Sequence, residues 1–159
     1  MLRCIIIDDS SVIRTVASRI LGERKGIQVL EAPTGRSGYD ICADNMPDVV
    51  IIDADLPDQS GVELLEQIKR LDHRGETSVL LLLAEIDLAA IMRAKRANAS
   101  GFLLKPFDRE TLLEVMDPLL LAKTGAKAAA EEAARSMELD LSALLEGKSG
   151  AAKKGPEAA

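Results

Sequence analysis

The sequence predicts an α/β fold, a doubly wound five-stranded parallel sheet followed by a C-terminal extension that is first helical and then disordered. Three observations carry this. Five short apolar runs scarcely alternate in polarity, as strands buried on both faces do. Each is followed by a segment that opens on a helix-capping residue. The two patterns alternate strictly along the first 121 residues, in the order βαβαβαβαβα, which implies a parallel sheet with helices on both faces.

The elements follow in order. Arg3–Ile7 is the first strand, and Ser10 or Ser11 caps a helix whose Val12, Val16 and Ile20, with Ile13, recur at helical spacing. Ile27–Leu30 is the second strand, with Thr34 capping the next helix. Val49–Ile52 is the third, with Ser60 as cap. Val79–Leu83 is the fourth, with Asp87 as cap. Phe102–Leu104 is the fifth, with Asp108 as cap. In the last helix Pro118 predicts a kink or a fresh start capped by Asp117, and Thr124-Gly125 predicts a break.

Composition shifts near residue 122. Residues 1–121 carry 14 basic and 20 acidic residues, whereas residues 122–159 carry 6 of each and include 12 alanines. The expected organisation is a folded domain over 1–123, an Ala-rich amphipathic helix over 124–146 and a disordered tail over 147–159. Glu131 and Arg135 form an i,i+4 pair in the favoured order. Met137, Leu141, Leu144 and Leu145 share one face of that helix, which fits either a partner groove or the chain's own domain. The tail has almost nothing to bury.

Several function classes are excluded. Aromatics are 2% of the chain, only Tyr39, Phe102 and Phe107, too few for a platform that stacks single-stranded bases. A net charge of -6 is the wrong sign for a duplex-binding surface. One histidine, His73, rules out multi-histidine metal sites. Cys4 and Cys42 form no C-x-x-C pair, and two cysteines cannot staple a secreted scaffold. The longest unbroken apolar stretch, Val79 to Ala84, is far short of a membrane span. Asp8 and Asp9 interrupt the N-terminus before a signal-peptide core can form. A cytoplasmic protein that does not enter a membrane is expected.

Three carboxylates stand at strand ends: Asp8 and Asp9 after the first strand, and Asp53 after the third. In an open parallel sheet ligands bind outside the carboxyl ends of strands, where strand order reverses. If the first and third strands are neighbours, all three acids converge there and repel unless a cation sits among them. Hard oxygen donors suit Mg²⁺. Lys105 ends the fifth strand on the same edge, where its ammonium can pair with a phosphoryl group or with Asp53. Each residue alone has a plainer reading as a cap, a loop acid or a surface lysine. Their shared position at strand ends is what points to a site.

With these residues in place, the chain resembles the receiver domain of bacterial two-component response regulators, especially the single-domain, CheY-like chemotaxis type. The resemblance covers about residues 1–121 and rests on I-I-I-D-D-S-S-V-I-R at 5–14, V-V-I-I-D-A-D-L-P-D-Q-S-G at 49–61 and A-S-G-F-L-L-K-P-F at 99–107. Asp9 to Asp53 is 44 residues and Asp53 to Lys105 is 52, both of which suit the family. The resemblance implies a flavodoxin-like sheet of strand order 2-1-3-4-5. It implies that Asp53 accepts a phosphoryl group from a histidine kinase or histidine phosphotransfer protein. Asp9 and Asp53 then ligate Mg²⁺ directly, Asp8 through water, and Asp55 through its main-chain carbonyl. Lys105 binds a phosphoryl oxygen. Pro57 and Gly61 fit the tight loop after the acceptor, Ala84 keeps access to the phosphate open, and Phe102 matches the aromatic that rotates between outward and inward states.

One position departs from the family. Where Thr or Ser ends the fourth strand, 30 residues after the acceptor, this chain has Leu83. Thr77 and Ser78 lie at the wrong end of the strand to substitute. The expectation is therefore a stand-alone response regulator with an atypical switch. The alternative is a phosphorylation-independent adaptor or phosphate sink. An enzyme reading, from the likeness of Asp53-Ala54-Asp55 to the first motif of haloacid-dehalogenase-type phosphatases, fails on order, because there the paired acids come late. The resemblance implies a partner surface on the face of the fourth helix, fifth strand and fifth helix, where Arg93, Lys95 and Arg96 suit an acidic partner, although each alone has a plainer reading as part of a solvated charged face. The extension is too short for a DNA-binding output domain, and the downstream target is not legible.

Overall fold

Strand β1 (Leu2–Ile7), β2 (Ile27–Ala32), β3 (Val49–Asp53), β4 (Ser78–Leu83) and β5 (Gly101–Leu104) all pair in parallel, in the order β2-β1-β3-β4-β5. In this computed structural model the backbone of residues 1–158 is described, with the side chains of all but residue 140 and residues 147–158. Helices α1 (Ser11–Gly22), α2 (Gly35–Asp44), α3 (Gly61–Leu71), α4 (Leu88–Arg96) and α5 (Arg109–Ala158) follow the five strands in turn.

The unbroken apolar runs are explained by burial on both faces. Cys4 and Ile6 face a core that includes Ala17, Ile20 and Leu21 of α1 and Leu112, Met116 and Leu120 of α5. Ile5 and Ile7 face the other core, with Cys42 of α2, Leu64, Leu65 and Ile68 of α3 and Ala94 of α4. Each fully buried Ile or Leu contributes on the order of 1.5–3 kcal/mol. The central strands, which carry most of these residues, therefore fix the register.

Capping fits the sequence. Ser10, Thr34, Ser60 and Asp87 each accept a backbone N–H at the start of their helix, and Asp108 accepts from Thr111 N–H. The buried face of α1 differs from expectation. Val12 and Val16 are exposed, and the buried positions are Ala17, Ile20 and Leu21, with Ile13 packed beside them. Alanine carries little hydrophobic signal, so the neighbouring valines mislead.

The fresh start at Pro118 and the break at Thr124-Gly125 are corrected. α5 runs through Pro118 and Thr124-Gly125 without a break. Leu112, Leu113, Met116 and Leu120 are buried around Pro118, which holds the helix in place despite the missing N–H. A mid-helix glycine costs only about 1 kcal/mol relative to Ala. The chain divides into two compact units, Met1–Leu121 and Ala122–Ala159. In the second, Met137, Leu139, Leu141, Leu144 and Leu145 are exposed. The tail over 147–159, expected to be disordered, falls where side chains are not described, and residue 159 lies outside the described residues.

Candidate functional site

Ile7 of β1 lies opposite Ile52 of β3, so the residues that follow, Asp8 and Asp53, emerge side by side at the carboxyl edge. This is where strand order reverses, since β1 lies between β2 and β3. One carboxylate oxygen from each of Asp8, Asp9 and Asp53 lies within 4.8 Å of the others. Asp8 is 0% and Asp53 5% exposed, while Asp9 is open to solvent.

Lys105 reaches into this cluster from the end of β5. Its Nζ lies 2.6 Å from Asp8 Oδ2 and 3.2 Å from Asp53 Oδ2. The Lys105–Pro106 peptide is cis. Asp8 Oδ1 accepts from Ser10 N–H at 2.9 Å, and Arg14 donates to the Asp8 carbonyl at 2.7 Å. Asp53 Oδ1 accepts from Asp55 N–H at 3.2 Å.

The electrostatics follow from burial. Burial pushes the Asp53 carboxyl above the usual carboxylate range. The Asp55 N–H opposes this, the Asp8 charge adds to it, and Lys105 opposes it. Burial pulls the Lys105 ammonium down, but the hydrogen bond to Asp8 and the charges of Asp53 and Asp8 outweigh it. Its pKa ends above the usual lysine value. Three acids against one ammonium leave a net negative site built from hard oxygen donors. A small divalent cation fits that donor set.

The loop after β3 is shaped by a glycine. A Cβ at Gly61 would overlap the Asp53 carbonyl oxygen, and Gly61 N–H donates to Ala54 O at 2.7 Å. The loop therefore folds tightly back beneath the acceptor. Asp58 is a residue that sequence reasoning missed. Its two oxygens accept from Gly35 and Arg36 N–H, each at 2.8 Å, at the start of α2. The Gly35 bond is the main reason its carboxyl is held below the usual range. Its small burial opposes, and the Arg36 bond adds to the lowering. No local pattern announces a contact 23 residues away.

Leu83 is buried in the cluster that Ala90, Ile91, Ala94 and Phe102 share. Its carbonyl accepts from Lys105 N–H at 2.8 Å. Phe102, opposite Leu81 on β5, is half-buried, and Ala84 is exposed. Thr77 is at the other end of β4, where its hydroxyl donates to Pro47 O. A cavity of about 340 Å³, lined in part by Asp55, Ser60, Leu83, Glu85 and Arg93, opens between the β3–α3 loop and α4. Of the three basic residues on α4, Arg93 is paired with Glu66 of α3 at 2.6 Å. Lys95 and Arg96 are exposed.

A family model described as the response regulator receiver domain matches residues 4–117. The chain belongs to the response regulator receiver family. It is 27% identical over 118 residues to the chemotaxis protein CheY of Bacillus subtilis, covering 74% of this chain and 97% of that one. It is 31% identical over 108 residues to a protein-glutamate methylesterase/protein-glutamine glutaminase of Treponema pallidum. That match covers 67% of this chain and 27% of the relative, so the receiver spans about a quarter of that protein. Among solved structures, Vibrio cholerae chemotaxis protein CheY4 matches with a TM-score of 0.69 at 29% identity, over 75% of this chain and 98% of that one. Among the described residues no helix is long and apolar enough to cross a membrane.

Proposed function

We propose that this receiver accepts a phosphoryl group on Asp53 from the phosphohistidine of a histidine kinase or histidine phosphotransfer protein. A carboxylate oxygen of Asp53 attacks phosphorus, the phosphorus–nitrogen bond breaks, and the imidazole leaves with its electron pair. The observation that carries this reading is the convergence of Asp8, Asp9 and Asp53 oxygens within 4.8 Å, with Lys105 Nζ against two of them.

Asp9 and Asp53 would hold Mg²⁺ directly, with the Asp55 main-chain carbonyl, and Asp8 through water. When bound, the ion neutralises charge on the transferring group. Lys105 supplies a fixed positive charge to a phosphoryl oxygen. The Asp55 N–H and the tight Gly61 turn hold the acceptor carboxylate in place. The chain is a phosphoacceptor, not an enzyme acting on a separate substrate, and it signals by protein contact in the cytoplasm. Residues 1–123 suffice for phosphoacceptance, and 124–159 are an appendage.

The switch is atypical. Leu83 offers no hydroxyl to a phosphoryl oxygen and belongs to the apolar cluster against which Phe102 packs. Phosphorylation therefore biases the β4–α4 region weakly. A reading as a phosphate sink or phosphorylation-independent adaptor is favoured by this one residue. The test is intact mass spectrometry after incubation with acetyl phosphate and Mg²⁺. One phosphoryl adduct on wild type, lost in Asp53→Asn and without divalent cation, supports the acceptor. No adduct on wild type supports the adaptor. Equal labelling of Asp53→Asn overturns the site.

A further inference from the structure

Two exposed apolar features are not used by the acceptor site. On α4, Leu88, Met92, Lys95 and Arg96 fall within roughly 100° of one another at about 100° per residue, so they form one stripe. Leu88 is 70% and Met92 58% exposed. Lys95 and Arg96 are exposed and have no acidic partner among the described residues. Leu104 of the edge strand β5 is also exposed. Strand alternation puts it on the side of the sheet that Phe102 shares with α4. This face is apolar at one end and basic at the other.

The second feature has the opposite charge. Met137, Leu141, Leu144 and Leu145 of α5 share one face and are all exposed. The segment 137–146 holds three acidic residues and no basic one, and Glu138 flanks the stripe.

We propose that the segment 137–146 of one copy seats on the α4–β5 face of a second copy, with the two contacts exchanged reciprocally. The leucine stripe covers Leu88, Met92 and Leu104, and the acidic residues meet Lys95 and Arg96. Charge complementarity selects this occupant, because a tail-to-tail pairing would bring two acidic segments together. Area agrees. Seven Leu and Met side chains, exposed by nearly two thirds on average, present roughly 400 Å² per contact, taking about 90 Å² for each when fully exposed. Apolar atoms make up a little over half of an interface, so two reciprocal contacts reach roughly 1,500 Å², the size of a stable one. Exchange of identical contacts closes a two-fold dimer and leaves no open end.

The test is sedimentation velocity on the full chain over a range of concentrations, with thermal melts to confirm that each variant is folded. Wild type should form a dimer in a concentration-dependent way, weakened as salt is raised about tenfold. Lys95→Glu with Arg96→Glu, and separately Leu141→Glu with Leu144→Glu, should each raise the dissociation constant at least about tenfold, or about 1.4 kcal/mol. Glu138→Lys should likewise weaken the dimer on its own. Mixed with the Lys95→Glu, Arg96→Glu chain, it should form a heterodimer, because both reciprocal contacts regain opposite charges. A wild type that stays monomeric, as it would if the segment docked within its own chain, overturns the proposal. So does a dimer lost with the leucine variants but indifferent to Lys95 and Arg96, which would be a helix pair. So does a charge-swapped mixture that remains monomeric.

Discussion

Oδ2 of Asp8, a fully buried carboxylate, lies 2.6 Å from Nζ of Lys105. A charge held away from water persists only when paired, and removing one partner of a buried pair costs on the order of 3–5 kcal/mol. Lys105→Met should therefore destabilise the chain by about 3 kcal/mol in divalent-free buffer, measured by urea denaturation. Added Mg²⁺ should recover part of the loss, because a cation among Asp8, Asp9 and Asp53 takes over the compensating charge. A variant as stable as wild type without divalent cation would show that this ammonium does not hold the acidic cluster together.

Asp53 works against stability at neutral pH. Its folded pKa lies above the ordinary 3.8. Between the two values the folded chain keeps a proton that the unfolded chain has lost. Stability therefore falls as pH rises through that window and stays lower above it. Asp53→Asn is neutral throughout, so it should melt a few degrees above wild type near neutral pH without divalent cation. The gap should close below about pH 3, where wild type is protonated in both states. Mg²⁺ should narrow or reverse the order, since a ligand of the native state stabilises by mass action. Calorimetry showing the Asn variant melting lower near neutral pH in chelator would contradict this balance of burial and pairing.

Among the described residues, the helix α5 contributes buried ones only as far as Leu120, and the first compact unit ends at Leu121. A chain ending at Lys123 should therefore unfold cooperatively within a few degrees of the full chain at low protein concentration. An Ala-rich helix of the length of 124–146 is marginal on its own, so circular dichroism of that segment as a peptide should show weak helicity. A drop of many degrees on truncation would mean that Met137, Leu141, Leu144 and Leu145 support the domain.

The strands were legible because a sheet covered on both faces demands apolar residues at every position, and Cys4–Ile7, Val49–Ile52 and Val79–Leu83 comply. The gathering of the candidate site's side chains was legible for a related reason. Charged residues that end such strands, Asp8, Asp53 and Lys105, can only gather at one edge. What could not be read depends on distant or weak signals. The true face of α1 runs through Ala17, whose methyl group stands out less than the exposed Val12 and Val16 beside it. Pro118 and Gly125 are local helix breakers that their context overrides. The Asp58 bonds to α2 join loops that no spacing rule connects.

Leu83 offers the sharpest test, because its side chain is buried with Phe102 beside the acceptor edge. A hydrogen bond to a charged group contributes about 1.5–3 kcal/mol. A ligand shifts an equilibrium only by its differential affinity for the two states. A phosphoryl group on Asp53 would lack that contact here, and the leucine belongs to the apolar cluster against which Phe102 packs. The remaining route runs through the loop beneath Asp53, whose Asp58 is already bonded to the start of α2. Beryllofluoride, a phosphoryl mimic, should therefore move wild-type amide resonances in residues 54–61 and 34–37 more than those in residues 88–97 or at Phe102. Leu83→Thr supplies the hydroxyl and should enlarge the shifts in 88–97 and at Phe102. If wild type already shows a full two-state rearrangement across α4 and β5, the hydroxyl is dispensable and the loop route is not the path of the signal.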